Sequence, residues 1–431
     1  MKHTSVLMAK LVIAVLIAAM GWVIWDNWVR FTRMAGTPDL AQAAAPPSAH
    51  TLAQGEYLIR IGGCMACHTN HGGLPLAGGR RIDTPFGPVF SSNLTPSATH
   101  GIGAWTLADF QNALRWGRSR DGRLLLPAFP YNHTSVFTPN DVQAMFAWLQ
   151  SVKPVNTDRP AHQLTWPLGT QPIIAVWRSL YFSPTPFQRN DQQSDTWNRG
   201  AYLVQSAGHC AACHGQRNAL GRFPAVDDLS GGFLSSHLWF APSLRDPTQT
   251  TLAHSADADI GQLLRTGANT SAHVSGPMAE FVQQAGQYLS VADGEAIAVY
   301  LKSGLVPGRT RSHLRPTGLA SSSPPAQNLY TQHCASCHGE NGEGKSGHYP
   351  SLANNPAVVL DRPDNLIQMA LYGGYGPSTP ERPRPYGMPP YLFTLNNQQI
   401  ADVLNHIRSQ WGNQASAISP MQVDRVRAAA Y

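Results

Sequence analysis

All six cysteines of this 431-residue chain fall in three copies of one pattern, Cys-x-x-Cys-His: Cys64, Cys67 and His68; Cys210, Cys213 and His214; Cys334, Cys337 and His338. Two thiols at this spacing can add across the two vinyl groups of one haem, and the adjoining histidine then reaches the iron as proximal ligand. Composition alone would yield roughly 0.003 such patterns in the whole chain. The expectation is three covalently bound haems c, and with them electron transfer rather than substrate turnover.

Structural zinc and thiol–disulfide exchange use the same Cys-x-x-Cys spacing, and neither fits. A zinc knuckle gathers four ligands within a short stretch, whereas these motifs start 146 and 124 residues apart (210 − 64 and 334 − 210). A thioredoxin-like pair sits in a βαβ pattern, which is absent here. It also gives no reason for a histidine after the second cysteine.

A haem that shuttles electrons without binding ligands needs a sixth axial group, and methionine raises its potential because thioether sulfur favours ferrous iron. Gly276-Pro277-Met278 offers Met278, 64 residues after His214, and Tyr386-Gly387-Met388-Pro389 offers Met388, 50 residues after His338. Both are read as loops before a closing helix, where methionine is not the usual core filler. The first motif departs from this. Its loop reads Pro127-Ala128-Phe129-Pro130-Tyr131-Asn132-His133, and phenylalanine cannot bind iron. His133, 65 residues after His68, is the assignment made here. Met145 and an open iron stay as alternatives, and an open iron would suit a haem peroxidase.

Each motif is framed by the same order of elements, which must position these ligands. A short segment with a tyrosine precedes it (Tyr57, Tyr202, Tyr330), and a helix ending at glycine follows (106–117, 258–267, 363–373). Then come a loop and a closing amphipathic helix. The closing helices carry apolar residues at helical spacing: Val142, Met145, Phe146 and Leu149; Ile297, Tyr300 and Leu301; Ile400, Val403, Leu404 and Ile407. Strand signals are few, so the reading is all-α: three tandem domains at 51–153, 197–303 and 326–413. Linkers cover 36–50, 154–196 and 304–325, and 414–431 is a tail. In the second linker Ile173, Val176, Trp177 and Leu180 share a helical face, read as packing across domains or as a partner or membrane contact.

Charged residues are 13% of the chain, against about 25% in ordinary soluble proteins. Small domains of this composition can still fold, because porphyrin supplies apolar surface. The formal charge of +6 is offset by the haem propionates, so it carries no nucleic-acid signal. Residues 11–25 are uncharged and apolar, about 22 Å as a helix, reaching about 30 Å if 6–9 join with Lys10 snorkelling. An uncleaved anchor within 1–35 is favoured. A cleaved signal peptide competes, although the alanines at 41–45 lie far from the apolar run for a cleavage site. Lys2 and Lys10 are matched by Arg30 and Arg33, so charge leaves topology open. By resemblance to c-type cytochromes generally, haem attachment outside the cytoplasmic membrane places the bulk in the periplasm.

Three further stretches extend this resemblance: Ala77-Gly78-Gly79-Arg80 with Thr84-Pro85-Phe86-Gly87; Ser92-Asn93-Leu94-Thr95-Pro96; and Trp197-Asn198-Arg199-Gly200-Ala201-Tyr202-Leu203 leading into Gly208-His209-Cys210. With the two methionine loops, the chain from Gly55 to Trp411 resembles the three-haem cytochrome c subunits of membrane-bound periplasmic alcohol, aldehyde and gluconate dehydrogenases. The resemblance implies three class I cytochrome c domains behind an N-terminal membrane helix. It also implies a dehydrogenase catalytic subunit of molybdenum, quinoprotein or flavin type, with a small iron–sulfur subunit as a further candidate, and ubiquinone as acceptor. Phe129 with His133 departs from the alcohol and gluconate type and resembles cytochromes that serve molybdenum-containing aldehyde and nicotinate dehydrogenases. A free-standing electron donor to an oxidase is the remaining alternative.

Overall fold

The computed structural model describes residues 2–35, 46–234, 239–269, 272–307 and 318–429. The alanines at 41–45 and residues 308–317 of the third linker lie outside the described residues. The chain gathers into two compact units. One holds Met1–Leu58, Cys67–Phe187 and Gly221–Phe223; the other holds Ile59–Ala66, Gln188–Leu220 and Pro224–Tyr431. Inside the second unit the Asn365 side chain accepts from the Phe240 N–H at 2.8 Å and donates to its carbonyl at 2.7 Å, and Arg265 lies 3.2 Å from Glu381. These contacts tie the regions around the second and third motifs together.

In chain order the first elements are α1 (Lys2–Ala35), α2 (Ala49–Ile61) and α3 (Cys64–His68), then a ribbon of β1 (Arg81–Ile82) and β2 (Val89–Phe90). The helices α4 (Leu107–Trp116), α5 (Tyr131–Thr134), α6 (Pro139–Ser151) and α7 (Gln171–Tyr181) follow. Within α1, Val6–Thr32 is long and apolar enough to cross a membrane. Its last turns are tied to α7, where Asn27 donates to Ser179 Oγ at 2.9 Å. The helix expected at 106–117 is α4. Thr106 and Asp109 form a capping box at its start, and Gly117 ends it at φ +55°, a conformation glycine adopts without steric cost.

Of the apolar stripe expected on α7, Ile173, Val176 and Leu180 are exposed, as a partner or membrane contact would have them, while Ile174, Arg178 and Ser179 are buried. The helix turns its polar Ser179 and Arg178 toward α1 and the end of α4, because both find hydrogen-bond partners there.

The remaining elements are α8 (Asp195–Gln205), α9 (Ala211–His214), a ribbon of β3 (Gly232–Phe233) and β4 (Phe240–Ala241), α10 (Asp257–Thr266), α11 (Gly276–Gln284) and α12 (Val291–Ser303). They continue as α13 (Pro324–His333), α14 (Ala335–His338), α15 (Pro356–Val359), α16 (Asp364–Tyr372), a ribbon of β5 (Gly374–Tyr375) and β6 (Gly387–Met388), α17 (Asn397–Ser409) and α18 (Pro420–Ala428). The fold is thus helix-rich, as expected, with three two-stranded antiparallel ribbons among the described residues that the all-α reading omitted. The stretch read as a tail is also corrected. Val423 and Val426 of α18 lie in the core with Ile367, Leu371 and Ile400. The fully buried Arg408 guanidinium donates to the carbonyls of Ser416, Val358 and Leu360, which fixes that return of the chain.

The segments before the first two motifs cross their closing helices closely. A Cβ on Gly55 would lie 2.0 Å from the Ala144 carbonyl oxygen of α6, and one on Gly200 would lie 1.9 Å from that of Ala296 on α12. Gly200→Ala should therefore force α8 off α12 and destabilise the protein by about 1–3 kcal/mol. A fall in the urea midpoint without loss of haem checks this.

Candidate haem sites

The three motif histidines are held by one device, repeated. His68 Nδ1 donates to the Ser92 carbonyl at 2.7 Å, His214 Nδ1 to that of Pro242 at 2.7 Å, and His338 Nδ1 to that of Pro350 at 2.9 Å. With Nδ1 engaged, Nε2 is the nitrogen left for iron, and the carbonyl sets the tautomer and the ring plane. Burial lowers the pKa of all three imidazoles, which favours the neutral form a metal needs.

The carbonyl residue in each case follows the second leg of a hairpin. That leg is β2 before Ser92, β4 before Pro242, and Tyr349, bridged to Lys345, before Pro350. A glycine stands at the hairpin's entry. The N–H groups of Gly78, Gly231 and Gly344 donate to the backbone carbonyls of His68, His214 and His338 at 2.8, 2.6 and 2.7 Å. Each glycine has positive φ, and a Cβ there would meet the backbone of Ser92, Ser243 or Ser351 at 2.5–2.6 Å. The hairpins differ in length, so the carbonyl lies 24, 28 or 12 residues beyond its histidine. That variation hid the device from sequence reasoning. The signal present was the pair Ala77-Gly78-Gly79-Arg80 and Ser92-Asn93-Leu94, which is its entry and exit in the first copy.

The thiols fit haem attachment better than redox exchange. Burial pushes Cys210 and Cys334 up to about 12, whereas a reactive Cys-x-x-Cys lowers its first thiol toward neutrality. No cluster of three or more His, Cys, Asp or Glu residues suited to a metal ion occurs among the described residues. Two thiols beside one imidazole with its Nε2 left for iron is a donor set that suits a haem c at Cys64, Cys67 and His68, at Cys210, Cys213 and His214, and at Cys334, Cys337 and His338.

Further along the chain, glycine-terminated helices again lead into hairpins. Gly117, Gly267 and Gly373 end α4, α10 and α16, and the pairings Arg118 with Leu124, Ala268 with His273, and β5 with β6 follow. Met388 sits on β6, eight residues before Asn396 caps α17 (396 − 388). Met278 lies in the first turn of α11 rather than in a loop; Pro277 at the helix start promotes that turn. His133 lies on α5 and is fully buried, as is Met145 on α6, where it belongs to the core. His273 was passed over in the sequence. Its Nε2 is buried without a hydrogen-bond partner among the described residues, and burial with the nearby charges of Arg382 and His338 lowers its pKa to about 4.

The Cytochrome c family matches residues 325–411, the region around the third motif. The cytochrome c subunit of quinone alcohol dehydrogenase from Gluconacetobacter polyoxogenes is 38% identical over 92% of this chain and 88% of that protein. The fructose dehydrogenase cytochrome subunit of Gluconobacter japonicus is 35% identical, covering 92% and 87%. The gluconate 2-dehydrogenase cytochrome c subunit of Pantoea cypripedii is 36% identical, covering 84% and 86%.

Proposed function

Since the chain belongs to the family of cytochrome c subunits of dehydrogenases, we propose that it takes electrons from a periplasmic catalytic subunit and passes them through three haems c to membrane ubiquinone. The observation that carries this reading is the histidine–carbonyl–glycine device, present once at each Cys-x-x-Cys-His motif. Bound there, the haems supply reversible one-electron chemistry. The chain's own residues orient and tune them: His68, His214 and His338 on one side, Met278, Met388 and His133 on the other.

Each motif with its flanking helices forms one haem-binding domain of the class I cytochrome c kind. α1 stays attached as an anchor in the cytoplasmic membrane, with the bulk in the periplasm. The Asn27–Ser179 hydrogen bond supports retention, since a signal segment removed by cleavage would gain nothing from a bond to α7. The catalytic partner is of the aldehyde dehydrogenase type, a choice that rests on Phe129 and His133 at the first haem. Alcohol or gluconate dehydrogenase would be expected to go with methionine in that loop.

The test is to solubilise the complex, identify the subunits that co-purify, and titrate its haems spectroelectrochemically. A molybdenum-containing partner and a lowest potential at the first haem are expected, because imidazole lacks the preference of thioether sulfur for ferrous iron. A first haem with the highest potential rejects His133 as its ligand. A chain that purifies alone and donates to an oxidase rejects the dehydrogenase assignment.

A further inference from the structure

Within the second unit, the segment Ile59–Ala66 holds the first cysteine of the first motif against the region of the second motif. Three contacts fasten it. The Arg60 guanidinium lies 4.9 Å from the centre of the Tyr288 ring. Gly63 packs so closely that a Cβ on it would stand 3.7 Å from the Ala285 Cβ and 4.0 Å from His209 Nε2. The His209 imidazole also hydrogen-bonds to the backbone of Gly62, as well as to its own.

An uncommon backbone aims that ring. His209 has φ +34°, a left-handed conformation that few residues with a side chain adopt. The turn is fixed on both sides: the His209 N–H donates to the Ser206 carbonyl at 3.0 Å, and the His209 carbonyl accepts from the Ala212 N–H at 2.8 Å. Haem attachment itself does not call for a histidine here, because the first motif has Gly63 at the equivalent position. In the third motif that position is His333, whose carbonyl accepts from the Tyr391 hydroxyl. Of the three, His209 is the one whose ring bonds to the approach of another motif.

The resulting path is short. Gly62 stands two residues before Cys64 and His209 one before Cys210, so one imidazole and one hydrogen bond join the approaches to the two attachment cysteines. Electron tunnelling decays more steeply across a gap than along bonds. A bonded route between two cysteine-linked haems therefore outweighs a gap of the same length.

We propose that His209 bridges electron transfer between the first and second haems, its ring donating to the Gly62 carbonyl and so linking the Cys64 side to the Cys210 side. This rests on the three-haem function proposed above. One electron leaves ferrous iron at one motif and reduces ferric iron at the other; no proton moves and no bond is made or broken.

In the test, the holo complex with its dehydrogenase subunit receives a sub-stoichiometric pulse of electrons by radiolysis. The haem α-bands, assigned beforehand by redox titration, are then followed in time. His209→Asn suits the left-handed backbone, but its amide is too short to reach Gly62. The fast phase between the first and second haems should be lost in this variant. Transfer between the second and third haems, all three potentials and amide exchange across residues 59–66 should be unchanged, since Arg60 and Gly63 still hold the segment. His209→Gln, whose longer amide can donate to Gly62, should keep the phase. An unchanged phase in His209→Asn overturns the bridge, and so does its loss in both variants. Loss accompanied by faster exchange across 59–66, or by failure to load haem, also overturns it, because His209 then only fastens or assembles the site. A wild-type chain with fewer than three haems overturns the function on which the bridge rests.

Discussion

Replacing Met388 by alanine should lower the potential of the third haem by on the order of 0.1–0.2 V and open its iron to carbon monoxide. Met388 lies on β6, which pairs with β5 just after Gly373, a positive-φ residue at the end of α16. A Cβ on Gly373 would lie 2.2 Å from the Met388 carbonyl oxygen, so this backbone is held against the helix end whatever side chain it carries. Alanine should therefore remove the thioether and leave the fold intact. The proximal side is untouched, because His338 stays bonded to the Pro350 carbonyl. Carbon monoxide difference spectra and a redox titration would check both parts. An unchanged potential with no carbon monoxide binding would move the ligand assignment away from Met388.

Gly344→Val should damage the same haem from the other side. At φ +68° a valine pays the left-handed penalty of about 1–2 kcal/mol. Its Cβ would also lie 2.6 Å from the Ser351 nitrogen and 2.7 Å from the Tyr349 carbonyl oxygen, all backbone that cannot swing aside. Overpacking adds about 1–3 kcal/mol, for a total near 2–5 kcal/mol. What the valine displaces is the Pro350 segment that orients His338. The expected outcome is a lowered denaturation midpoint, with the third haem's low-spin spectrum lost before those of the other two. Equal loss from all three haems would show that the device does not act locally.

The residues with the most distinctive chemistry were the most legible. Cys-x-x-Cys-His is a covalent requirement of haem, so the motif stands in the sequence at fixed spacing. The glycine-terminated helices α4, α10 and α16 were legible too, because a positive-φ residue after the helix calls for glycine. The carbonyls of Ser92, Pro242 and Pro350 were not. A carbonyl is the same in every residue, and the hairpins that deliver it vary in length. Periodicity found α7 and its exposed stripe of Ile173, Val176 and Leu180, but gave no sign that Arg178 and Ser179 are buried. That burial depends on the neighbouring Asn27 and the carbonyl of Trp116. The tail was misread for a similar reason: α18 is largely polar, and two valines and the buried Arg408 clasp draw it into the core.

The proposal of electron transfer from a dehydrogenase through three haems to quinone is tested most directly by rapid-mixing spectroscopy of the purified complex without oxygen. An aldehyde, an alcohol, fructose and gluconate are each offered to the oxidised complex, and ubiquinone is then added. The expected result is absorbance for three haems per chain, reduced by one of these substrates and reoxidised by ubiquinone. Three haems that dithionite reduces, but that every substrate leaves oxidised while the catalytic subunit still turns over, would contradict it.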